Sequence, residues 1–109
     1  MSDSGRFFVY ILRCSDGSFY VGHCNDVTQR VAAHNSGRGA VWTSRRIPVA
    51  LAYQEPFATK ADAVARERQI KGWTHAKKQA LVEGNLSKLR ELSKSHRRST
   101  TPAESSFNA

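Results

Sequence analysis

The chain has 109 residues, of which 39% are hydrophobic, a size and composition that suit one small folded domain and exclude a large two-domain enzyme. Its 17 lysines and arginines exceed its 9 aspartates and glutamates, which gives a formal net charge of +8 and favours an anionic partner such as nucleic acid. No apolar run approaches the roughly 18 residues of a membrane span, and residues 1–6 are polar. We therefore expect a cytoplasmic protein that does not contact a membrane.

Two segments near the N-terminus, residues 7–13 and 18–24, are rich in aromatic and β-branched side chains, which favour strands. The residues between them, Cys14-Ser15-Asp16-Gly17, are typical of a turn. We therefore predict a β-hairpin.

The length of this turn decides whether Tyr10 and Tyr20 share a face of the hairpin, because side chains alternate along a strand. A two-residue loop, Asp16-Gly17, puts the two tyrosines on opposite faces, whereas a three-residue loop with Gly17 in the left-handed conformation puts them on one face. The residues allow both turns. On a shared face the two phenols would lie beside Gly22, which lets a ligand approach the strand; otherwise they are ordinary strand tyrosines.

The next segments predict a helix, a loop and a third strand. Asp26 followed by Gln29 resembles a capping box, so a helix is predicted over residues 27–36. A basic loop over residues 37–48 follows, and residues 49–55 then alternate as a strand does.

Two more helices complete the predicted domain. Thr59 caps a helix that reaches about residue 71, and Thr74 caps a helix over residues 75–83. The order strand, strand, helix, strand, helix, helix predicts an α+β fold with a three-stranded, mainly antiparallel sheet flanked by helices.

Serine and threonine become frequent near residue 94. We divide the chain into an N-terminal extension over residues 1–6, a domain over residues 7–85, and a basic tail over residues 86–109 that is disordered from about residue 94.

Two pairs of polar residues have helical spacing. Arg30 and His34 are four residues apart on the first predicted helix, and Glu67 and Lys71 are four apart on the second. Taken alone, the first pair is typical of a solvated helix face and the second of a surface ion pair.

Taken in order along the chain, these residues resemble the GIY-YIG nuclease domain, and in particular its small stand-alone bacterial members of the UPF0213 type. The resemblance covers about residues 7–85. The positions that carry it are Val9-Tyr10-Ile11, Tyr20-Val21-Gly22, Arg30, His34, residues 39–43, Pro48 and residues 66–73. The chain departs from the family pattern at Phe8, at Val9, and at His23, where the family often has a smaller or basic residue.

The resemblance implies a fold and a catalytic set. It implies the three-stranded antiparallel sheet with both tyrosines on one face, and therefore the three-residue turn. The implied catalytic residues are Tyr10, Tyr20, Arg30, His34 and Glu67. Glu67 would bind Mg²⁺ or Mn²⁺, mainly when substrate is bound, because magnesium accepts one protein carboxylate and completes its shell with waters and phosphate oxygens.

The implied activity is that of a divalent-metal-dependent endonuclease hydrolysing phosphodiester bonds in DNA, with selection by substrate structure. RNA stays open as an alternative substrate. Arg30 would hold a phosphate oxygen and lower the pKa of a nearby phenol, and Tyr10, in preference to Tyr20, would activate the water. His34 would orient a tyrosine or the phosphate.

The basic loop is expected to contact the nucleic acid backbone, with Trp42 either stacking on a base or packing against the sheet. The predicted nucleic-acid-binding residues are Arg38, Thr43, Arg45, Arg46 and, through the resemblance, Asn85. The alternative function is a non-catalytic nucleic-acid-binding module that keeps the fold. The sequence indicates no obligate protein partner.

Overall fold

A three-stranded antiparallel sheet with helices packed against it confirms the predicted α+β fold. The computed structural model describes residues 6–99, with side chains through residue 94. The elements in chain order are β1 (Phe7–Arg13), β2 (Phe19–Cys24), α1 (Val27–Asn35), α2 (Val41–Ser44), β3 (Ala50–Phe57), α3 (Lys60–Lys71), α4 (His75–Val82) and α5 (Leu86–Ser99). The strand order is β2-β1-β3, so β1 is central and β2 is an edge strand.

The hairpin register puts the two tyrosines on one face. Tyr10 lies opposite Gly22 and Leu12 lies opposite Tyr20, a pairing that leaves a three-residue turn. Gly17 has a φ of 87°, which is the left-handed conformation that this turn requires. The three-residue turn is therefore confirmed.

The two faces of the sheet carry separate clusters of buried side chains, because neighbouring residues of a strand point to opposite faces. One face packs against α3 and α4, through Val9, Ile11, Phe19, Val21, Ala63, Ile70 and Leu81. The other face packs against α1, through Tyr10, Leu12, Cys14, Cys24, Val27 and Val49. Each large apolar side chain buried in this way contributes about 1.5–3 kcal/mol of transfer free energy.

The predicted helix caps are present. The side chains of Asp26, Thr59 and Thr74 accept hydrogen bonds from the backbone N–H three residues later, at 3.0, 3.2 and 3.2 Å. Each cap satisfies one of the N–H groups that a helix start leaves without a partner.

Two local expectations differ from the structure. The predicted strand over residues 49–55 extends through Pro56, which lies opposite Phe8. A proline is tolerated there because β3 is an edge strand, so one side of it needs no hydrogen bond to a neighbour. The predicted loop over residues 37–48 contains the short helix α2.

The segment after residue 85 needs a correction, because it forms α5 through Ser99 where we expected a tail disordered from about residue 94. The side chain of Asn85 caps this helix by accepting from the Lys88 N–H at 3.0 Å, and Leu89 packs against the buried cluster on the α3 face. Residues 100–109, the rest of the predicted tail, lie outside the described residues, and the domain boundary at residue 85 stays a prediction. None of the described helices has the length and apolar character needed to cross a bilayer.

Candidate active site

Three of the predicted catalytic side chains meet on the α1 face of the sheet. The ring centroids of Tyr10 and Tyr20 are 6.4 Å apart, and that of His34 lies 6.0 Å from Tyr10 and 5.1 Å from Tyr20. Tyr10 and His34 are each only 1% exposed, whereas Tyr20 is half-buried. Tyr20 is therefore the member of this cluster that a substrate can reach.

A chain of hydrogen bonds fixes which nitrogen of His34 carries the proton. The Thr43 hydroxyl donates to the Ala40 carbonyl at 2.9 Å, so its oxygen must accept from Nδ1–H of His34, 2.7 Å away. Nε2 of the neutral ring is then an acceptor, and the Tyr10 hydroxyl donates to it at 3.1 Å. The proton of Tyr10 consequently points into the protein.

The pKa shifts agree with this proton arrangement. Burial lowers the pKa of His34, and the positive charge of Arg30 lowers it further, so the imidazole is neutral near pH 7. Burial raises the pKa of Tyr10 to about 12, although a hydrogen bond from Arg30 and its charge act in the opposite direction. The preference for Tyr10 over Tyr20 as the group that activates water stays a prediction, and the burial that raises the Tyr10 pKa argues against it.

Two glycines make room for these side chains. A Cβ at Gly22 would lie 2.6 Å from the Tyr10 hydroxyl oxygen, and a Cβ at Gly39 would collide with Nδ1 of His34. The space over Gly22 is thus filled by Tyr10 and does not serve the approach of a ligand, which was one reading of the sequence.

Glu67 lies on the opposite face of the sheet from the tyrosines. Its Oε1 contacts Nδ1 of His23 on β2, and its Oε2 lies 2.6 Å from Nζ of Lys71. Burial raises the pKa of Glu67, but the hydrogen bonds and charges of Lys71 and His23 lower it by more, so its net pKa lies below the usual value. The carboxylate is therefore ionised at neutral pH.

The edge strand β2 carries residues of both parts of the site, the tyrosine cluster on one face of the sheet and the His23–Glu67 contact on the other. Tyr20 and His23 are three residues apart and point to opposite faces, about 10 Å along the strand. Because no strand within residues 6–99 pairs with the outer edge of β2, a substrate lying along it can contact both faces. Strand alternation alone predicts that His23 faces away from Tyr20, but no sequence signal indicates its contact with Glu67.

The donor set suits a weakly held divalent ion. Among the described residues, no three His, Cys, Asp or Glu side chains are close enough to hold a metal together. Glu67 supplies one charged carboxylate whose Oε2 already faces a cation, the half-exposed ammonium of Lys71. An ion that takes one protein ligand and completes its shell with water and phosphate fits this position, provided that the lysine moves away.

Trp42 packs against Tyr20 of the candidate site, and Arg46 packs against Trp42. The Trp42 ring lies 6.0 Å from the Tyr20 ring at an interplanar angle of 27°, and the Arg46 guanidinium lies 3.9 Å from the Trp42 ring centroid. Arg46 also donates to Asp16 at 3.2 Å and to the Trp42 carbonyl at 2.7 Å. These contacts favour packing over base stacking for Trp42, and they leave Arg46 less available to a phosphate than we expected.

The other predicted nucleic-acid contacts fall into two groups. The side chain of Thr43 is fully buried against His34, which rules out the direct contact that we predicted for it. Asn85 uses its side-chain oxygen to cap α5. This structural role accounts for an asparagine at position 85 without a contact to phosphate. Arg38 and Arg45 are exposed and stay predicted contacts.

Comparison with known proteins gives matches over most of the chain. Residues 6–80 match a family profile described as the GIY-YIG catalytic domain. A UPF0213 protein of Staphylococcus aureus strain Mu3 is 51% identical over 76 residues, which are 70% of this chain and 93% of that protein. The solution NMR structure of protein EF2693 from E. faecalis is 36% identical, covers 74% of this chain and 84% of its own, and has a TM-score of 0.50. That of the UPF0213 protein BH0048 from Bacillus halodurans is 39% identical, with coverages of 72% and 84% and a TM-score of 0.48.

Proposed function

Because this chain belongs to the GIY-YIG family of nuclease domains, we propose that it is an endonuclease that hydrolyses phosphodiester bonds in DNA with the help of a divalent metal ion. The family acts on nucleic acids, and its nucleases generally use divalent metals. The formal charge of +8 suits a polyanionic substrate. The observation that carries the proposal is that β2, an edge strand among the described residues, carries Tyr20 of the tyrosine cluster on one face and His23, which contacts the ionised Glu67, on the other.

In this proposal Arg30 and Tyr20 contact the scissile phosphate. Arg30 is exposed and always charged, and its fork-shaped guanidinium can hold two phosphate oxygens. Tyr20 is the accessible phenol, and it either activates or orients the attacking water. Tyr10 donates to His34, and the positive charge of Arg30 acts on the pKa of both residues, so this buried pair lies within reach of the guanidinium's field.

Glu67 is the proposed metal ligand. A bound Mg²⁺ or Mn²⁺ would neutralise charge that develops on the phosphate oxygens during cleavage. Since a single carboxylate holds such an ion weakly, we expect binding mainly together with the nucleic acid. Cytoplasmic location and independence of an obligate protein partner remain expectations from the sequence, which leaves RNA open as a substrate.

The test is a cleavage panel of duplex, single-stranded, flap and four-way-junction DNA and of RNA, with Mg²⁺, Mn²⁺ or a chelator. Wild type is compared with Glu67→Gln and Arg30→Ala, and with Glu91→Gln, a control at an exposed glutamate on α5. We expect metal-dependent products whose rate falls at least about 100-fold in both site variants, a size typical of losing a group that acts in the transition state. Full cleavage by Glu67→Gln would reject the metal assignment.

A second candidate function is a nucleic-acid-binding module without turnover. One observation favours it: both carboxylate oxygens of Glu67 already have partners, in His23 and Lys71. Salt-dependent binding that survives the chelator, with no product under any metal, would establish this function in place of the nuclease.

A further inference from the structure

The contact between His23 and Glu67 brings together two side chains that can both ligate a metal ion. His23 lies on β2, Glu67 lies on α3, and Nδ1 of the imidazole contacts Oε1 of the carboxylate. Imidazole nitrogens and carboxylate oxygens are both ligands of divalent ions in proteins. A lysine or arginine at position 23 would only neutralise the carboxylate, whereas an imidazole also offers a lone pair to a metal.

The pair can be reached from solvent. The side chain of His23 is 32% exposed and that of Glu67 is 13% exposed, and β2 is an edge strand within residues 6–99. The remaining partner, Lys71, approaches the other carboxylate oxygen, Oε2, with Nζ 2.6 Å away, and its side chain is half-exposed. An ion entering from the strand edge therefore meets both donor atoms, and the ammonium has solvent to move into.

The spacing of the two donor atoms suits one octahedral ion. Metal–donor distances of about 2.1 Å place neighbouring ligands of such an ion about 3 Å apart. Nδ1 and Oε1 are already in contact, so a small separation of the two side chains is enough for them to share an ion. With the ring proton on Nε2, Nδ1 presents its lone pair to that ion.

A nitrogen ligand changes which ion the site prefers. Mg²⁺ takes oxygen ligands, whereas transition-metal ions also accept imidazole. Among the described residues no third His, Cys, Asp or Glu side chain is close enough to join the pair, so water and phosphate oxygens complete the shell. Mn²⁺ binds such nitrogen and oxygen ligands most weakly of the first-row ions from manganese to zinc, which makes it the strictest probe of this preference.

We propose that His23 is a second metal ligand beside Glu67, so that the site prefers a transition-metal ion such as Mn²⁺ to Mg²⁺. This inference rests on the proposed metal site at Glu67, but it concerns the binding of the ion and does not require cleavage. Lys71 neutralises Oε2 when no ion is bound and turns into solvent when one binds.

The test detects the nitrogen ligand directly, by pulsed EPR of bound Mn²⁺. Protein labelled with ¹⁵N only in histidine is mixed with Mn²⁺, alone and together with an oligonucleotide whose internucleotide linkages resist hydrolysis. A ¹⁵N coupling in this sample can come only from a histidine, not from a lysine. The EPR signal of free Mn²⁺ gives the affinity in a titration, and competition with Mg²⁺ gives the preference between the two ions.

Two histidine variants separate a metal ligand from a hydrogen-bond donor. His23→Asn keeps a side-chain N–H group that can donate to Glu67, but it removes the imidazole. His75→Gln is the control, because His75 is an exposed histidine whose ring stacks on Phe19. Circular dichroism and the thermal melt check that both variants fold, and the labelled wild type answers the question without any substitution.

We expect a histidine coupling in wild type and in His75→Gln, and its loss in His23→Asn. The Mn²⁺ affinity of His23→Asn should fall at least about tenfold, the lower end of what even an outer partner of a metal ligand contributes, while its Mg²⁺ affinity changes less. A wild type without the coupling in both samples, or an unchanged Mn²⁺ affinity in His23→Asn, would overturn the inference. The coupling in a wild type that cleaves no member of the panel would uphold this inference and reject the nuclease, and cleavage without the coupling would do the reverse.

Discussion

Replacement of Thr43 by valine tests the hydrogen-bond chain that ends at Tyr10. Valine keeps the shape of threonine and removes only the hydroxyl, which accepts from His34 Nδ1–H and donates to the Ala40 carbonyl. That carbonyl keeps a second donor, the backbone N–H of Ser44 at 3.1 Å, so the main loss falls on the imidazole.

The stability lost in Thr43→Val follows from the burial of His34 and Thr43. His34 is 1% exposed and Thr43 is fully buried, so water cannot replace the lost acceptor. A buried donor without a partner costs about 1–3 kcal/mol, and we expect Thr43→Val to lower the free energy of unfolding by that amount. The ring can relieve part of this cost by moving its proton to Nε2, but Tyr10 can then no longer donate to it.

Two measurements test the predicted effect of Thr43→Val. Urea unfolding gives the change in stability, and the ¹⁵N chemical shifts of the His34 ring report which nitrogen is protonated. Thr43→Ser is the control, because it keeps the hydroxyl and should retain the Nδ1–H form while losing about 0.8 kcal/mol with its methyl group. Thr43→Val with wild-type stability and wild-type shifts would show that the assigned direction of the chain is incorrect.

Three further predictions concern the same cluster. Gly22→Ala should lower stability by about 1–3 kcal/mol in urea unfolding, because its Cβ would press on the buried Tyr10 hydroxyl, and an unchanged midpoint would contradict this packing. The depressed pKa of His34 means that the unfolded chain binds more protons, so stability is full above pH 6.5 and declines as the pH falls, by up to about 1.4 kcal/mol per pH unit. Measuring the free energy of unfolding at about pH 7.5 and pH 5 checks this decline, which should be smaller in His34→Gln. Tyr20→Phe should lower the single-turnover cleavage rate more than Tyr10→Phe does, since Tyr20 is the more accessible of the two phenols, and the reverse order would identify Tyr10 as the group that acts on water.

Local rules in the sequence predicted most of the fold. The hairpin follows from strand-forming residues around a turn, and the helices begin at Asp26, Thr59 and Thr74 because each cap depends on residues only three positions apart. The helix α5 was missed because a composition rich in serine and charge resembles a disordered tail. What stabilises it is the packing of Leu89 against the buried cluster, which composition does not report.

For the candidate site, too, the sequence determined one part and the tertiary structure another. The sequence by itself determined which residue types are present, and their order along the chain is enough for the family to be identified. The tertiary structure decided their contacts, since Tyr10 meets His34 across 24 positions and His23 meets Glu67 across 44. Burial, proton direction and accessibility depend on how helices pack on both faces of the sheet, and no interaction between near neighbours in the chain encodes that packing.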